Sequence, residues 1–147
     1  MSDKQNIQLK IITPERIVFD EKVDHVILPS STGEIDILPN HTTLMTSLNI
    51  GPIIVYKGKE EIHLAMGGGY CEVNDNLVTV LADTAERAEE LNEERIMQAR
   101  QRAQTLMEDK DKAGARDQAL VSASLQRSLA RLKVMERYRK HHSRKNL

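Results

Sequence analysis

The sequence predicts two structural parts, an N-terminal antiparallel β-sandwich of about eight to ten strands followed by a C-terminal two-helix αα hairpin. Between residues 7 and 81, apolar and polar residues alternate in short runs separated by turn residues. From residue 86 onward the chain has one glycine and no proline and is rich in good helix formers. We assign residues 1–84 to the sandwich, 85–91 to a linker, 92–140 to the hairpin and 141–147 to a basic tail.

The strands are predicted from period-two alternation, which is typical of half-buried strands. Their spacing of roughly 8–10 residues is typical of a sandwich or barrel. Turn-forming residues separate the runs at 13–15, 30–33, 57–59 and 74–76. The clearest predicted strands span residues 7–11, 16–20, 23–27, 51–56, 60–65, 70–74 and 77–81.

The most distinctive stretch of the sandwich is Gly-Glu-Ile-Asp-Ile-Leu-Pro-Asn-His at residues 33–41. Ile35 and Ile37 alternate with polar residues and predict a short strand. Pro39 has no N–H for a ladder and Asn40 tolerates turn geometry, so the strand is predicted to end there in a corner. We expect His41 to form a hydrogen bond at that corner rather than to act as a base.

The first helix is predicted to begin at Asn92, whose side chain can cap it, with Glu93 and Glu94 in the first turn, where acids suit the helix dipole. Helical spacing continues to about residue 109, and residues 109–114 indicate a polar hairpin loop. The apolar positions of this helix are Ile96, Ala99, Ala103 and Leu106.

The second helix is predicted over about residues 115–139 and has two narrow faces. One is a stripe of Val121, Leu125, Leu129, Leu132 and Met135, and the other is a small-residue face of Ala115, Ala119, Ala123 and Ala130. Such faces bury little area, so an isolated hairpin would be marginal. The sequence leaves two possibilities open, a hairpin that docks on the sandwich in one state and opens in another, or one that stays folded.

The composition predicts a soluble, cytosol-facing chain. Cys71 is the single cysteine, which excludes an internal disulfide and fits a reducing compartment. No apolar run approaches the roughly 20 residues of a spanning helix, and the first residues show no signal or transit pattern. The net charge of −1 is unevenly distributed, since residues 111–147 hold ten Lys or Arg against three acids. This basic end is expected to meet an acidic surface.

No catalytic motif is present in the sequence. The three glycines at 67–69 are not followed by Gly-Lys-Ser/Thr and lead into a strand, so they indicate a bulge or a close backbone approach rather than a phosphate-binding loop. His25, His41 and His63 are scattered over strands with no spacing that argues for zinc. We expect a protein that is not an enzyme by itself and has no metal site.

Two pairs of arginines have helical spacing. Arg95 and Arg102 are seven residues apart on the first helix, and Arg127 and Arg131 are four apart on the second, so each pair shares a face. Folding of the hairpin could bring four guanidinium groups together, and arginine forks suit phosphate oxygens. The alternative, which the residues alone favour, is a solvated face that pairs with Glu93, Glu94 and Glu108.

The end of the second helix is strongly basic, with Glu136 as the single acid between Arg127 and Lys145. Three partners suit such a helix, namely an anionic membrane surface, nucleic acid or an acidic protein groove. The absence of Trp and Phe from the apolar face disfavours the membrane, and the shortage of aromatics for base stacking disfavours nucleic acid.

The motifs together resemble a known family. Residues 33–41, followed by Thr-Thr-Leu at 42–44, Leu-Asn-Ile-Gly-Pro at 48–52 and Gly-Gly-Gly-Tyr at 67–70, are similar to the epsilon subunits of bacterial and chloroplast F-type ATP synthases. The resemblance covers nearly the whole chain. It implies a non-catalytic subunit of the F1 central stalk, peripheral at the cytoplasmic face of the bacterial plasma membrane, that couples ion flow to ATP synthesis.

The resemblance also implies partners. The sandwich would bind the gamma subunit and the c-ring, and the extended C-terminal helix would insert between the catalytic alpha and beta subunits and inhibit ATP hydrolysis. No nucleic acid is expected. The residues expected to bind partners are Glu34, Ile37, Leu38, Pro39, His41, Arg127, Arg131, Lys133, Arg137, Arg139 and Lys140.

A regulatory nucleotide is a further implication of the resemblance. ATP-binding members of the family carry Leu/Ile-Asp-x-x-Arg-Ala at the start of the first helix, and residues 91–96 are similar, except that Asn92 and Ile96 replace the aspartate and the alanine. No cofactor is required, and weak binding of Mg-ATP by the folded hairpin is expected. The residues concerned are Asp83, Leu91, Asn92, Arg95, Arg102, Arg127 and Arg131.

A second function remains open at this stage. It is a free-standing regulatory module, a β-sandwich whose basic helix docks on acidic protein or on nucleic acid. Salt-sensitive binding to unrelated DNA, with no ATPase partner recovered, would favour it.

Overall fold

The strands form where the sequence alternates. The structure, a computed structural model, describes residues 5–108 and 114–145. The strands of this described part are β1 (Ile7–Ile12), β2 (Ile17–Val23), β3 (His25–Ser30), β4 (Gly33–Ile37), β5 (Leu44–Lys57), β6 (Glu60–Asn74), β7 (Leu77–Ala82) and β8 (Ala85–Arg87). Along β1, buried and half-buried residues alternate strictly, so one side of the strand faces the core.

The described strands form one hydrogen-bonded sheet in the order β2-β1-β7-β6-β5-β3-β4, with β8 paired to β6. Apart from β1 and β7, which run parallel, the paired strands of this sheet are antiparallel. Residues from each of these strands meet in one apolar core, which shows that the sheet folds over itself. The predicted β-sandwich is confirmed, with the parallel pair as an unexpected detail.

The two longest strands, β5 and β6, form a ribbon through the centre of the sheet. β6 has 15 residues and joins the two runs, 60–65 and 70–74, that the sequence predicted as separate strands. That separation was wrong, because the glycines at 67–69 continue the strand and the pairing with β5 keeps one register along the whole ribbon.

Two of these glycines let the neighbouring chain approach β6 closely. A Cβ on Gly67 would lie 2.0 Å from Thr84 Oγ1, and a Cβ on Gly69 would lie 2.0 Å from the Leu81 carbonyl oxygen. Gly69 also has a φ of +153°, which side-chain-bearing residues rarely adopt. The predicted close approach of the backbone is confirmed, whereas the β5–β6 register shows no bulge there.

The helical part begins with a 3₁₀ turn (Ala88–Glu90), followed by α1 (Glu93–Glu108) and α2 (Ala115–Lys145). The backbone N–H of Arg95 donates to Asn92 Oδ1 at 3.1 Å, which confirms the predicted cap. The segment 85–91, predicted as a linker, contains β8 and the 3₁₀ turn, and α2 continues into the predicted tail. Apart from Gly114, the predicted loop at 109–114 lies outside the described residues.

The hairpin packs on the sandwich through α2, which contacts both β5 and β6 as well as α1. Val134 is fully buried against Ala65 and Ala88, and Leu91 and Tyr138 pack beside them. Because these side chains are few and mostly small, the apolar contact between helix and sandwich is limited.

The structure corrects the predicted apolar stripe of α2. Leu129 is 43% exposed, whereas Val134, which the predicted stripe omitted, is 0% exposed. The periodicity of the sequence was misleading here because α2 packs against two neighbours, the sheet and α1, and a single apolar stripe does not report which residues meet either of them.

Replacing Gly69 by Ala is expected to lower the free energy of unfolding by about 2–4 kcal/mol, because the added methyl group meets the Leu81 carbonyl and the backbone is strained. Urea unfolding of the full chain measures this loss. Gly58→Ala is the matched control, since Gly58 also has a positive φ but no atom lies within 4 Å of the added Cβ. That control is expected to lose about 1 kcal/mol, and equal losses would contradict the steric explanation.

Candidate functional site

A cleft, called here the hairpin cleft, opens between β8, the 3₁₀ turn, the start of α1 and one side of α2. Its cavity has a volume of about 540 Å³. Five of the seven residues predicted to bind a nucleotide lie on it, namely Leu91, Asn92, Arg95, Arg102 and Arg131. The other residues on its wall are Glu86, Glu90, Ile96, Gln98 and Ala99.

Arg131 is already paired within the hairpin cleft. Its Nε and Nη2 donate to the two carboxylate oxygens of Glu86 at 2.9 and 2.7 Å. This two-bond contact uses the fork that would otherwise suit a phosphate, so a phosphate must displace Glu86 to use it. The same pair connects α2 to β8 and therefore helps to hold the hairpin on the sandwich.

A second carboxylate, Glu90, lies on the same wall. Arg16 Nη2 donates to Glu90 Oε2 at 2.7 Å, and this hydrogen bond lowers the pKa of Glu90. Within the described residues neither Arg95 nor Arg102 pairs with a carboxylate. Among the described residues, the cleft thus offers two guanidinium groups without a carboxylate partner, although Arg102 Nε donates to the Gln98 carbonyl oxygen at 3.5 Å. They lie next to two carboxylates that each have an arginine partner.

The two departures from the family motif have clear structural consequences. Asn92 Oδ1 accepts the hydrogen bond that caps α1, so this side chain is engaged in helix formation. Ile96 is 6% exposed, and its branched side chain occupies space at the wall of the cleft. Both features reduce what the cleft can offer to a nucleotide.

The remaining two predicted nucleotide residues lie elsewhere. Arg127 packs along the sheet, with its Cδ 3.2 Å from the position of a Cβ on Gly67. Asp83 lines a separate cavity of about 690 Å³ with Gly68, Tyr70 and Gln126. The structure therefore does not bring the four arginines of the hairpin into one cleft. The sequence grouped them by helical spacing, which ignores the sheet against which α2 lies.

Four of the five partner-binding residues predicted in the sandwich, Ile37, Leu38, Pro39 and His41, lie at or next to the turn after β4. Ile37 is fully buried in the core and has no surface to offer, which corrects its assignment, whereas Leu38 is 51% exposed. Asn40 has a φ of 64° and forms the predicted corner. His41 Nδ1 lies 2.7 Å from the Thr42 carbonyl oxygen, which confirms its role as a corner hydrogen-bonding group. Glu34 is exposed at the other end of β4, beside the turn that joins β3 to β4, and Pro39 lies in the turn after β4.

The predicted basic residues of α2 have different surroundings. Arg139 donates to Glu93 of α1 at 2.6 Å, and this hydrogen bond lowers the pKa of Glu93. Lys140 lies 3.1 Å from Glu136 one turn earlier, and Lys133 is exposed. In the folded hairpin, acidic groups on the helices thus balance two of these basic residues, Arg139 and Lys140.

Arg137 lies in another cavity, called here the basic cleft, between β5, β6 and the last turns of α2. Its volume is about 290 Å³. His63 is 2% exposed on its sandwich side. Burial, followed by the positive charges of His141 and Arg137, lowers the pKa of His63, while Glu61 opposes this shift. The residues on its wall are Ile54, Tyr56, Glu61, His63, Arg137, Lys140, His141 and Arg144.

The basic cleft was missed by the sequence analysis, which treated the histidines as scattered. His63 and His141 are 78 positions apart in the sequence, and α2 brings them to a ring-centroid separation of 6.0 Å. No local spacing reports such a contact. The described residues contain no cluster of His, Cys, Asp and Glu suited to a metal ion.

The fold is therefore a β-sandwich that carries a docked helical hairpin, and family models match it in two consecutive segments. The model of the ATP synthase delta/epsilon chain β-sandwich domain matches residues 6–88, and that of the long α-helix domain matches residues 89–136. The chain belongs to the ATP synthase delta/epsilon chain family. The resemblance found in the sequence is confirmed.

Two relatives illustrate the similarity. The ATP synthase epsilon chain of Dehalococcoides mccartyi is 47% identical over 135 residues, which cover 92% of this chain and 96% of that protein. The ATP synthase epsilon chain of Nitratidesulfovibrio vulgaris is 40% identical over 132 residues, which cover 89% of this chain and 96% of that protein. Both alignments extend through the sandwich and into the helical part.

Two solved structures share the fold. A chain of the Euglena gracilis mitochondrial ATP synthase OSCP/F1/c-ring structure has a TM-score of 0.69 at 21% identity, covering 82% of this chain and 76% of that chain. A chain of the Tetrahymena thermophila mitochondrial ATP synthase central stalk/c-ring has a TM-score of 0.60 at 11% identity. The match covers 91% of this chain and 99% of that chain. At such identities the likeness concerns the fold. Separately, none of the described helices is long and apolar enough to cross a membrane.

Acidic pH is expected to weaken the docking of the end of α2. His63 has a lowered pKa while α2 covers it, and undocking exposes the imidazole and lets it bind a proton more readily. The undocked state therefore binds more protons than the docked state. The contribution of His63 to the free energy of docking is present in full above its ordinary pKa of 6.5, and it is lost as the pH falls toward the lowered pKa that His63 has in the docked state.

The measurement is the distance between spin labels at Lys59→Cys and Ser143→Cys in a Cys71→Ser background, followed from about pH 8 to about pH 5. His63→Gln is expected to reduce the pH-dependent opening, whereas the matched variant His142→Gln, at an exposed position on the same end of α2, is expected to retain it. An unchanged pH profile in His63→Gln would refute this explanation.

Proposed function

We propose that this chain is the epsilon subunit of an F-type ATP synthase and a non-catalytic part of its central stalk. The observation that carries the proposal is the consecutive match of both domains of the family to residues 6–88 and 89–136, with relatives named ATP synthase epsilon chain over most of the chain. The sandwich binds the gamma subunit and the c-ring and couples ion flow to ATP synthesis. The chain lies as a peripheral subunit at the cytoplasmic face of a bacterial plasma membrane.

The turn after β4 suits this role because it is an exposed apolar projection on a rigid base. Leu38 is exposed next to the fully buried Ile37, which anchors the turn in the core. The backbone N–H of Asn40 also donates to Asn76 Oδ1 at 2.6 Å, which ties the turn to the loop between β6 and β7. A rigid turn loses little conformational entropy when it meets a partner.

We further propose that the hairpin inhibits ATP hydrolysis when it leaves the sandwich. Support comes from the limited apolar contact around Val134 and from polar contacts that can be exchanged. Undocking releases Arg131 from Glu86, and extension of the hairpin releases Arg139 from Glu93. An acidic groove between alpha and beta subunits complements the basic residues that become available around α2, and this complementarity guides register and association rate. These residues are Arg127, Arg131, Lys133, Arg137, Arg139 and Lys140.

The inhibition is tested by ATP hydrolysis of the assembled F1 complex with two variants of opposite expected effect. A chain ended after Glu90 lacks the inhibitory helices, and if half the complexes are inhibited its rate rises about twofold. Val134→Asp in the full chain buries a carboxylate at the docking contact, favours the undocked hairpin and lowers the rate. Equal rates for all three assembled complexes would refute the inhibition, and failure of every chain to assemble would refute the proposed subunit.

Weak binding of Mg-ATP to the hairpin cleft is also proposed. Arg95 and Arg102, which have no carboxylate partner among the described residues, line a cavity large enough for a nucleotide, but Glu86 occupies the fork of Arg131. A bound ATP stabilises the folded hairpin only by its difference in affinity between the two states.

Isothermal titration of the full chain is expected to give a dissociation constant of roughly 1 mM for Mg-ATP. Restoring the family motif with Asn92→Asp and Ile96→Ala is expected to tighten binding by about tenfold, because a charged acceptor and space are returned to the cleft. Lys22→Gln, on β2 and outside the cleft, is the control. A flat titration for both the native chain and the motif variant would exclude this nucleotide site.

A further inference from the structure

The basic cleft has no role in the nucleotide proposal, because none of its residues lines the hairpin cleft. It joins two parts of the molecule that separate when the hairpin undocks. β5 and β6 form its sandwich side, and the last turns of α2 form the other. A ligand held in this cleft therefore contacts both parts.

The cleft contains buried nitrogen atoms that lack hydrogen bonds. In the described part of the chain, both ring nitrogens of His63 and Nε2 of His141 are buried without a partner. His63 Nε2 lies 3.1 Å from Glu61 Oε1, close enough for an ion pair but not aligned for a hydrogen bond. Buried polar atoms usually have a partner. His63 Nδ1 and His141 Nε2 have neither a hydrogen bond nor an ion pair in the described part of the chain, so the cleft can hold a group that supplies one.

The charges around the cavity are mainly positive. Arg137 and Arg144 have no acidic partner among the described residues, and Lys140 has only Glu136 on its own helix. The single carboxylate on the wall is Glu61, whose Oε2 lies 3.4 Å from His141 Nδ1. Two unpaired guanidinium groups in one small cleft form a pattern suited to an oxyanion.

We propose that the basic cleft binds a protonated oxyanion of the phosphate class. Arg137 and Arg144 donate hydrogen bonds to its oxygens from α2, and a ring N–H of His63 donates from β6. Glu61 accepts the hydrogen bond that a P–OH group donates. The cavity volume is about 290 Å³. Inorganic phosphate keeps a P–OH group at neutral pH and supplies the required donor, whereas a phosphate monoester supplies it only in its singly ionised form, because its second pKa is about 6.

Glu61 makes the proposed site selective. At neutral pH inorganic phosphate carries at least one proton and can donate to the carboxylate, whereas sulfate carries none and would place an oxygen lone pair against it. An unmatched pair of acceptors at close range is strongly unfavourable, because each loses hydrogen bonds to water without gaining a partner. Phosphate should therefore bind and sulfate should be rejected, although both ions have similar size and shape.

Binding at this site stabilises the docked hairpin, because Arg137 and Arg144 belong to α2 and His63 and Glu61 belong to the sandwich. The free energy of docking increases with the logarithm of the ligand concentration above its dissociation constant. This inference concerns the chain itself and does not depend on the proposed subunit role. It requires only the docked arrangement seen here.

The first test is isothermal titration of the full chain with sodium phosphate and with sodium sulfate at equal ionic strength and neutral pH. Phosphate is expected to bind at least about tenfold more tightly than sulfate. Arg137→Gln is expected to weaken phosphate binding by about tenfold, since a hydrogen bond to a charged group is lost. Lys22→Gln removes the same charge on β2 and is expected to bind phosphate as the native chain does.

Glu61→Gln completes the test, because an amide can donate to sulfate as well as accept from phosphate. The preference for phosphate over sulfate is expected to fall to about twofold or less in this variant. Circular dichroism checks that each variant is folded. In the chain with spin labels at Lys59→Cys and Ser143→Cys, adding phosphate should shorten the mean distance between the labels or narrow the distribution of distances. Glycerol 3-phosphate, which is mostly without a P–OH group at neutral pH, is expected to bind more weakly than inorganic phosphate and to bind more tightly as the pH is lowered toward about 6.

Three results would each overturn the site. They are no phosphate binding by the folded native chain, equal binding of phosphate and sulfate, and phosphate binding that Arg137→Gln leaves unchanged. Weakening by Lys22→Gln as strong as by Arg137→Gln would also overturn it, because it would show a response to overall charge rather than to this cleft.

Discussion

The packing of α2 across β5 and β6 is the interaction on which the other functional features of this chain depend. It buries Val134 against two alanines and covers His63. It also forms one wall of both the hairpin cleft and the basic cleft. Since the apolar contact is small, polar pairs such as Arg131 with Glu86 account for much of its specificity. A contact of this composition holds one arrangement and remains reversible, because ion pairs can be exchanged for other partners or for water.

The rigidity of the sandwich complements this reversible contact. The β5–β6 ribbon keeps one register over its full length, and the glycines at 67–69 let the chain around Thr84 run close beside it. β8 extends the pairing of β6 beyond β7. The sheet surface on which α2 packs is therefore continuous with the core, so it stays rigid when the end of α2 moves. The regulatory role that we propose for the hairpin needs such a base, because a flexible base would deform when the helix end moves.

The two clefts differ in how their positive charge is used. In the hairpin cleft, Arg131 is neutralised by Glu86, and the carboxylate of Glu90 lies nearby with its own arginine partner. In the basic cleft, Arg137 and Arg144 lie with a single carboxylate and the buried imidazole of His63, whose ring nitrogens have no hydrogen bond to any described residue. An oxyanion therefore meets less competition at the end of α2 than at its middle. Sites at both positions would act on the same equilibrium, since each joins the helix to the sandwich.

The sequence by itself determined the sandwich, the hairpin, the cap at Asn92 and the corner at Asn40. These features depend on local alternation, local capping and backbone geometry, which are determined by residues close to one another in the sequence. It also predicted five residues of the hairpin cleft through the resemblance to a family. Only the tertiary structure decided that Arg127 lies outside the hairpin cleft that Arg131 lines, that Val134 rather than Leu129 is buried, and that His63 meets His141. Those outcomes depend on which side of α2 faces the sheet, and helical periodicity fixes a helix's faces without choosing the neighbour that each face contacts.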